Sequence, residues 1–121
     1  MPKLSSQQVS ILAALLASYA CSAGLCANTV TKRLTSPDGT RDAVVFTRDC
    51  GATTDFSTQV ALVPSGQVPG EGGNVFIAPR AADVRVEWVG NDTLLVRDAI
   101  ANPNLKAGEA GGVTIRYATL Q

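Results

Sequence analysis

Cysteine carries the most chemistry in this chain, at Cys21, Cys26 and Cys50. A thiol becomes a nucleophile when a nearby base or cation lowers its pKa. The sequence has no histidine, and Cys50 sits between Asp49 and Gly51, with Arg48 the only cation close by in sequence. Two cysteines without histidine do not complete a common zinc site, so neither a metal nor a catalytic thiol is expected. Pairing is the better use of these residues. Cleavage of a leader after Ala23 would remove Cys21, and lipidation at Cys21 would consume it. Either event leaves Cys26 and Cys50 as an even pair. A disulfide between them closes a loop of about 25 residues and stabilises by roughly 3 kcal/mol in the chain-entropy description.

The segment around Cys50 is the second place where chemistry is dense. Asp49 to Ser57 reads DCGATTDFS, and Gly51, Thr53, Thr54, Asp55, Ser57 and Thr58 offer hydroxyls, backbone N–H groups and a carboxylate. Such a set can hold a small polar ligand or the backbone of a partner. It can equally satisfy its own backbone through Asx- and ST-turns beside a disulfide. The other carboxylates, Asp38, Asp42, Asp83 and Glu87 among them, fall on turns and solvated strand faces, where ordinary surface charge is expected. The glycine-rich run Gly70-Glu71-Gly72-Gly73-Asn74 lacks the strand-to-helix context and the Lys-Ser/Thr of a phosphate loop. No cofactor is implied, and no residue is assigned a catalytic role.

Composition narrows the partners. The chain has 121 residues, ten basic and ten acidic. Lys3 lies in the leader, which leaves nine basic against ten acidic side chains beyond it. A nucleic-acid binder normally carries a basic stripe to neutralise phosphates, so nucleic acid is not an expected partner; the partner is unknown, and a protein is the candidate. The leader itself reads from Lys3 through the apolar run Val9 to Ala20 to the small residues Ala20-Cys21-Ser22-Ala23. That run is well short of the ~20 residues needed to span a bilayer as a helix. Residues 1–23 are therefore expected to be a cleaved signal peptide and 24–121 a single exported domain, periplasmic or secreted, with no membrane span left after cleavage. Lipid anchoring at Cys21 is the alternative, although Ser18 stands where a lipoprotein signal usually has Leu.

The elements that must position these residues read as strands. Seven are expected, at Val30–Leu34, Arg41–Arg48, Thr58–Val63, Val75–Ala78, Asp83–Val89, Thr93–Arg97 and Val113–Thr119. Ser36-Pro37-Asp38-Gly39 and Gly90-Asn91-Asp92 are turns. Ala43 to Phe46 is apolar on both faces and predicts a central strand covered on both sides. Asp83 to Val89 alternates and predicts a strand with one solvated face. Pro64 to Asn74 reads as an exposed, mobile loop, and Asp98 to Gly112 as a second irregular stretch. The fold class expected is all-β: a small antiparallel sheet, a sandwich or a partly open barrel.

The stretch SPDG-x3-AVVF-x-RDCGATT-x-FSTQV, Ser36 to Val60, resembles an uncharacterised bacterial family of small exported or membrane-tethered domains. The likeness continues through Gly72-Gly73-Asn74-Val75-Phe76 and Val84-Arg85-Val86-x-Trp88. It implies a cysteine near Cys26 as the partner of Cys50, and it implies no activity. Shorter phrases, Ser36 to Gly39 and Trp88 with Leu94-Leu95-Val96, are similar to β-propeller blades, but a propeller needs at least four blades and this chain has room for two. The function expected is non-enzymatic binding or structure at the cell envelope or exterior. The alternatives are a hydrolase inhibitor that inserts the Pro64–Asn74 loop and, last, a small carboxylate-dependent enzyme.

Overall fold

A computed structural model describes residues 26–51 and 55–120. The expected leader, with Cys21, and Thr53 and Thr54 of the Cys50 loop lie outside the described residues. Nine strands form in chain order: β1 (Ala27–Thr35), β2 (Arg41–Asp49), β3 (Ser57–Pro64), β4 (Phe76–Pro79), β5 (Arg85–Trp88), β6 (Thr93–Asp98), β7 (Leu105–Lys106), β8 (Glu109–Ala110) and β9 (Val113–Thr119). One sheet has the order β1-β2-β3-β4-β7 and the other β5-β6-β9-β8. Ala43, Val45, Val60, Phe76 and Ala78 of the first sheet share one buried cluster with Val86, Leu94, Val96, Val113 and Ile115 of the second. Of the all-β architectures open to the sequence, this is two sheets packed face to face, with side chains alternating into the space between them.

Two expectations are corrected by the topology. β6 and β9 pair in parallel, Leu94 opposite Ile115 and Val96 opposite Tyr117, so the fold is not antiparallel throughout. A parallel pair needs a crossover of a dozen or more residues. The stretch read as irregular, Asp98 to Gly112, supplies it: the chain pairs β7 with β4 in the first sheet, then β8 with β9 in the second. The Tyr117 hydroxyl holds this crossover down, 2.7 Å from the Ala107 carbonyl and 3.1 Å from that of Val75. Burial, aided by Asp98, pushes its pKa up to about 12.

The hairpin β1–β2 is set by the Ser36–Gly39 turn. The Ser36 hydroxyl donates to the Asp38 carboxylate, which also accepts from the Thr40 N–H, and Gly39 takes φ +77°, open to glycine at no steric cost. Together the Ser36 and Thr40 groups hold the Asp38 carboxyl below its ordinary pKa. β1 is longer than the short edge strand expected, and it carries a bulge at Thr31 between Val30 and Lys32. Its exposed edge is closed near one end by Trp88 of β5, whose indole N–H donates to the Leu34 carbonyl at 2.9 Å.

Pro64 to Asn74 is exposed, as expected, but it is fastened rather than loose. Gly66 N–H donates to the Asp42 carboxylate, and the Asn28 side-chain amide donates to the carbonyls of Pro69 and Glu71. Gly73 N–H donates to the Gln59 side chain, and the Asn74 side chain bonds Leu62 N–H. Asp42, Asn28 and Gln59 all lie on the face of the first sheet turned away from the second. Between Asp42 and the row that pairs Asn28 with Arg48, the same face of β2 presents Val44 and Phe46, both fully buried. The segment is therefore a strap laid along the outer face of the first sheet. At Gly73 the fit is closest, since a Cβ there would lie 2.5 Å from the Val60 carbonyl oxygen.

Candidate binding site

The disulfide joins Cys26 and Cys50, the residues that flank the last β1–β2 pair, Ala27 opposite Asp49. It closes the open end of that hairpin and leaves no thiol at Cys50. The pairing inferred from cysteine parity is the one formed.

Beside this bond the structure places a hollow of about 400 Å³, lined by Arg48 from β2, Asp55, Phe56, Ser57 and Gln59 from the loop and start of β3, Ile77 and Pro79 from β4, Arg80, and Asn104. Arg48, Ser57, Gln59 and Ile77 share the strapped outer face, so the hollow continues that face at the disulfide end. Two guanidinium groups and one carboxylate line it.

The residues singled out in the Cys50 loop divide by role. Gly51 N–H donates to the Asp49 carboxylate at 3.0 Å, an Asx-turn within the loop. Ser57 accepts from the Gln59 side-chain amide at 2.7 Å, and that amide's oxygen takes Gly73 of the strap. Thr58 points inward and is buried. Its hydroxyl donates to the Arg80 carbonyl and accepts from Ala82 N–H, each at 3.0 Å. Thr58 is thus a positioning residue and not a ligand contact, whereas Asp55 and Ser57 do line the hollow.

The residue that Thr58 positions was not legible in the sequence. Arg80 has φ +67°, the only left-handed residue other than glycine among those described. That conformation costs a bulky residue on the order of 1 kcal/mol or more and persists only where the surroundings enforce it. Here the enforcement is the Thr58 hydroxyl and a bridge between Ser57 and Arg80. The result aims an arginine side chain outward, 80% exposed, with Nε 3.4 Å from Asp55 Oδ2. Phe56 stands beside it with 44% of its surface exposed. A lone aromatic residue in a hydroxyl-rich loop is the signal that could have marked this spot; nothing in Pro79-Arg80-Ala81 announces the backbone of Arg80.

The carboxylates do not assemble. Asp38, Asp55 and Asp98 each line a different hollow, and Asp42 is engaged under the strap. No family model, curated protein or solved structure matches this chain.

Proposed function

We propose that this protein is an exported binding domain that receives a partner at its disulfide end, in the hollow between Phe56, Arg80 and Asn104. The observation that carries the reading is Arg80 itself. A strained backbone, locked by a buried threonine, presents a solvent-exposed cation next to an exposed aromatic ring. Strain of this kind clusters at sites that contact ligands. Binding is favoured over turnover because two groups that could react at this end are already engaged, Cys50 in the disulfide and Thr58 between two backbone groups.

Export to the periplasm or beyond is supported by the leader-like pattern of residues 1–23 and by a disulfide, which persists in oxidising compartments. Among the described residues no helix is long and apolar enough to cross a membrane. Lipidation at Cys21 would tether the same domain. The inhibitor alternative has less support, because the Pro64–Asn74 segment it would insert is fastened at Asn28, Asp42 and Gln59.

The test is retention of partners from the cell envelope by the purified domain. Phe56→Ser with Arg80→Gly should abolish retention, and Arg97→Ser on the far sheet should leave it unchanged. Equal retention by both variants would sink the proposal.

A further inference from the structure

The hollow's own chemistry points to the class of group it accepts, on the reading that it is a binding site. Its lining holds one more cation than anion, and its one carboxylate, Asp55, pairs directly with Arg80 at the solvent-exposed rim. Both side chains are about three-quarters exposed or more. An exposed pair of that kind contributes little to stability, so it opens readily. A guanidinium presents a planar fork of donors that matches a carboxylate. Around it stand the apolar surfaces of Phe56, Ile77 and Pro79 and the side-chain amide of Asn104. We propose that Asp55 is an internal stand-in: the site binds a carboxylate carried beside an apolar side chain, and that carboxylate displaces Asp55 from Arg80.

Removing an acidic residue should then improve binding, while removing its partner should end it. The disulfide-bonded domain would be titrated with N-acetyl-phenylalanine, following backbone amide shifts of Phe56, Arg80 and Asn104 by NMR. Asp55→Asn should tighten binding about five-fold, since the competitor is gone. Arg80→Gly should weaken it at least ten-fold. Glycine adopts φ +67° without strain, so this variant stays folded, and its thermal midpoint, measured alongside, verifies that. The neutral N-acetyl-phenylalaninamide should bind neither protein. N-acetyl-glutamyl-phenylalaninamide separates a side-chain carboxylate from a chain-terminal one, and binding of either supports the proposal. Weaker binding by Asp55→Asn, equal binding of the neutral amide, or shifts with inorganic phosphate alone would overturn it. If the carboxylate probes fail while Phe56→Ser with Arg80→Gly still abolishes partner retention, the ligand class is wrong and the site stands. If retention is also unaffected, the site itself is wrong.

Discussion

The outer faces of the two sheets are built on opposite plans. On the second sheet the rows Arg85 and Arg97, and Glu87, Leu95 and Arg116, face away from the core, and all the charged ones are exposed. Water satisfies that face, and its strands alternate as half-buried strands do. On the first sheet the equivalent rows hold Asp42, Val44, Phe46, Gln59 and Ala61, all buried. This face is covered by the strap, and where the strap ends the hollow with Arg80 begins. On the reading proposed above, the face that carries both a covering segment and a strained arginine beside an exposed phenylalanine is the one that receives a partner.

Replacing both Cys26 and Cys50 by Ser should cost about 3 kcal/mol, read as a fall in the urea midpoint with a steeper slope, because the uncrosslinked unfolded chain exposes more surface. Reduction of the native protein should reproduce it.

Next is the latch under the strap. Asp42 accepts from Gly66 N–H, from the Thr35 hydroxyl and from the Arg33 guanidinium, which together hold its pKa down to about 2. Its folded pKa lies below the unfolded value of 3.8, so its contribution is present above about pH 4 and lost as pH falls through about 2. Asp42→Asn should cost about 1–3 kcal/mol at neutral pH and flatten the acid limb of the stability profile, measured by denaturation from pH 6 to pH 2. An unchanged acid limb would mean the latch is not the acid-sensitive group.

Gly73→Ala sharpens the contrast within the strap. Its Cβ would meet the Val60 backbone, which belongs to a paired strand and has little room to yield, so a loss of about 1–3 kcal/mol is expected. Gly70→Ala, with open space around it, should be neutral. Smaller still, Trp88→Phe removes one indole hydrogen bond to Leu34 and should cost about 1 kcal/mol. On the bare face, Arg97→Ala should fall within about 0.5 kcal/mol of the native stability.

The sequence was most readable where structure depends on neighbours along the chain. Strand positions followed from alternation, and the run Ala43 to Phe46 announced that β2 is covered on both faces. What covers it was not legible, because the strap is fixed by polar side chains far away in sequence, such as Asn28 to Pro69, and glycine-rich composition alone reads as mobility. The parallel β6–β9 pair was missed for a similar reason: each strand looks the same whichever neighbour it takes. In the candidate site, Asp55 and Ser57 were visible as polar loop residues. Arg80 was not, since its left-handed backbone is imposed by Thr58 from another strand and arginine has no preference for that conformation.

The proposed contact surface is the first sheet's outer face, at the disulfide end. A photoreactive side chain placed at Phe56 and, separately, at Arg97 tests it in cells that express the protein. A discrete adduct is expected from position 56, lost on Arg80→Gly, and none from position 97. Adducts from position 97 alone, or the same adducts from both, would contradict it.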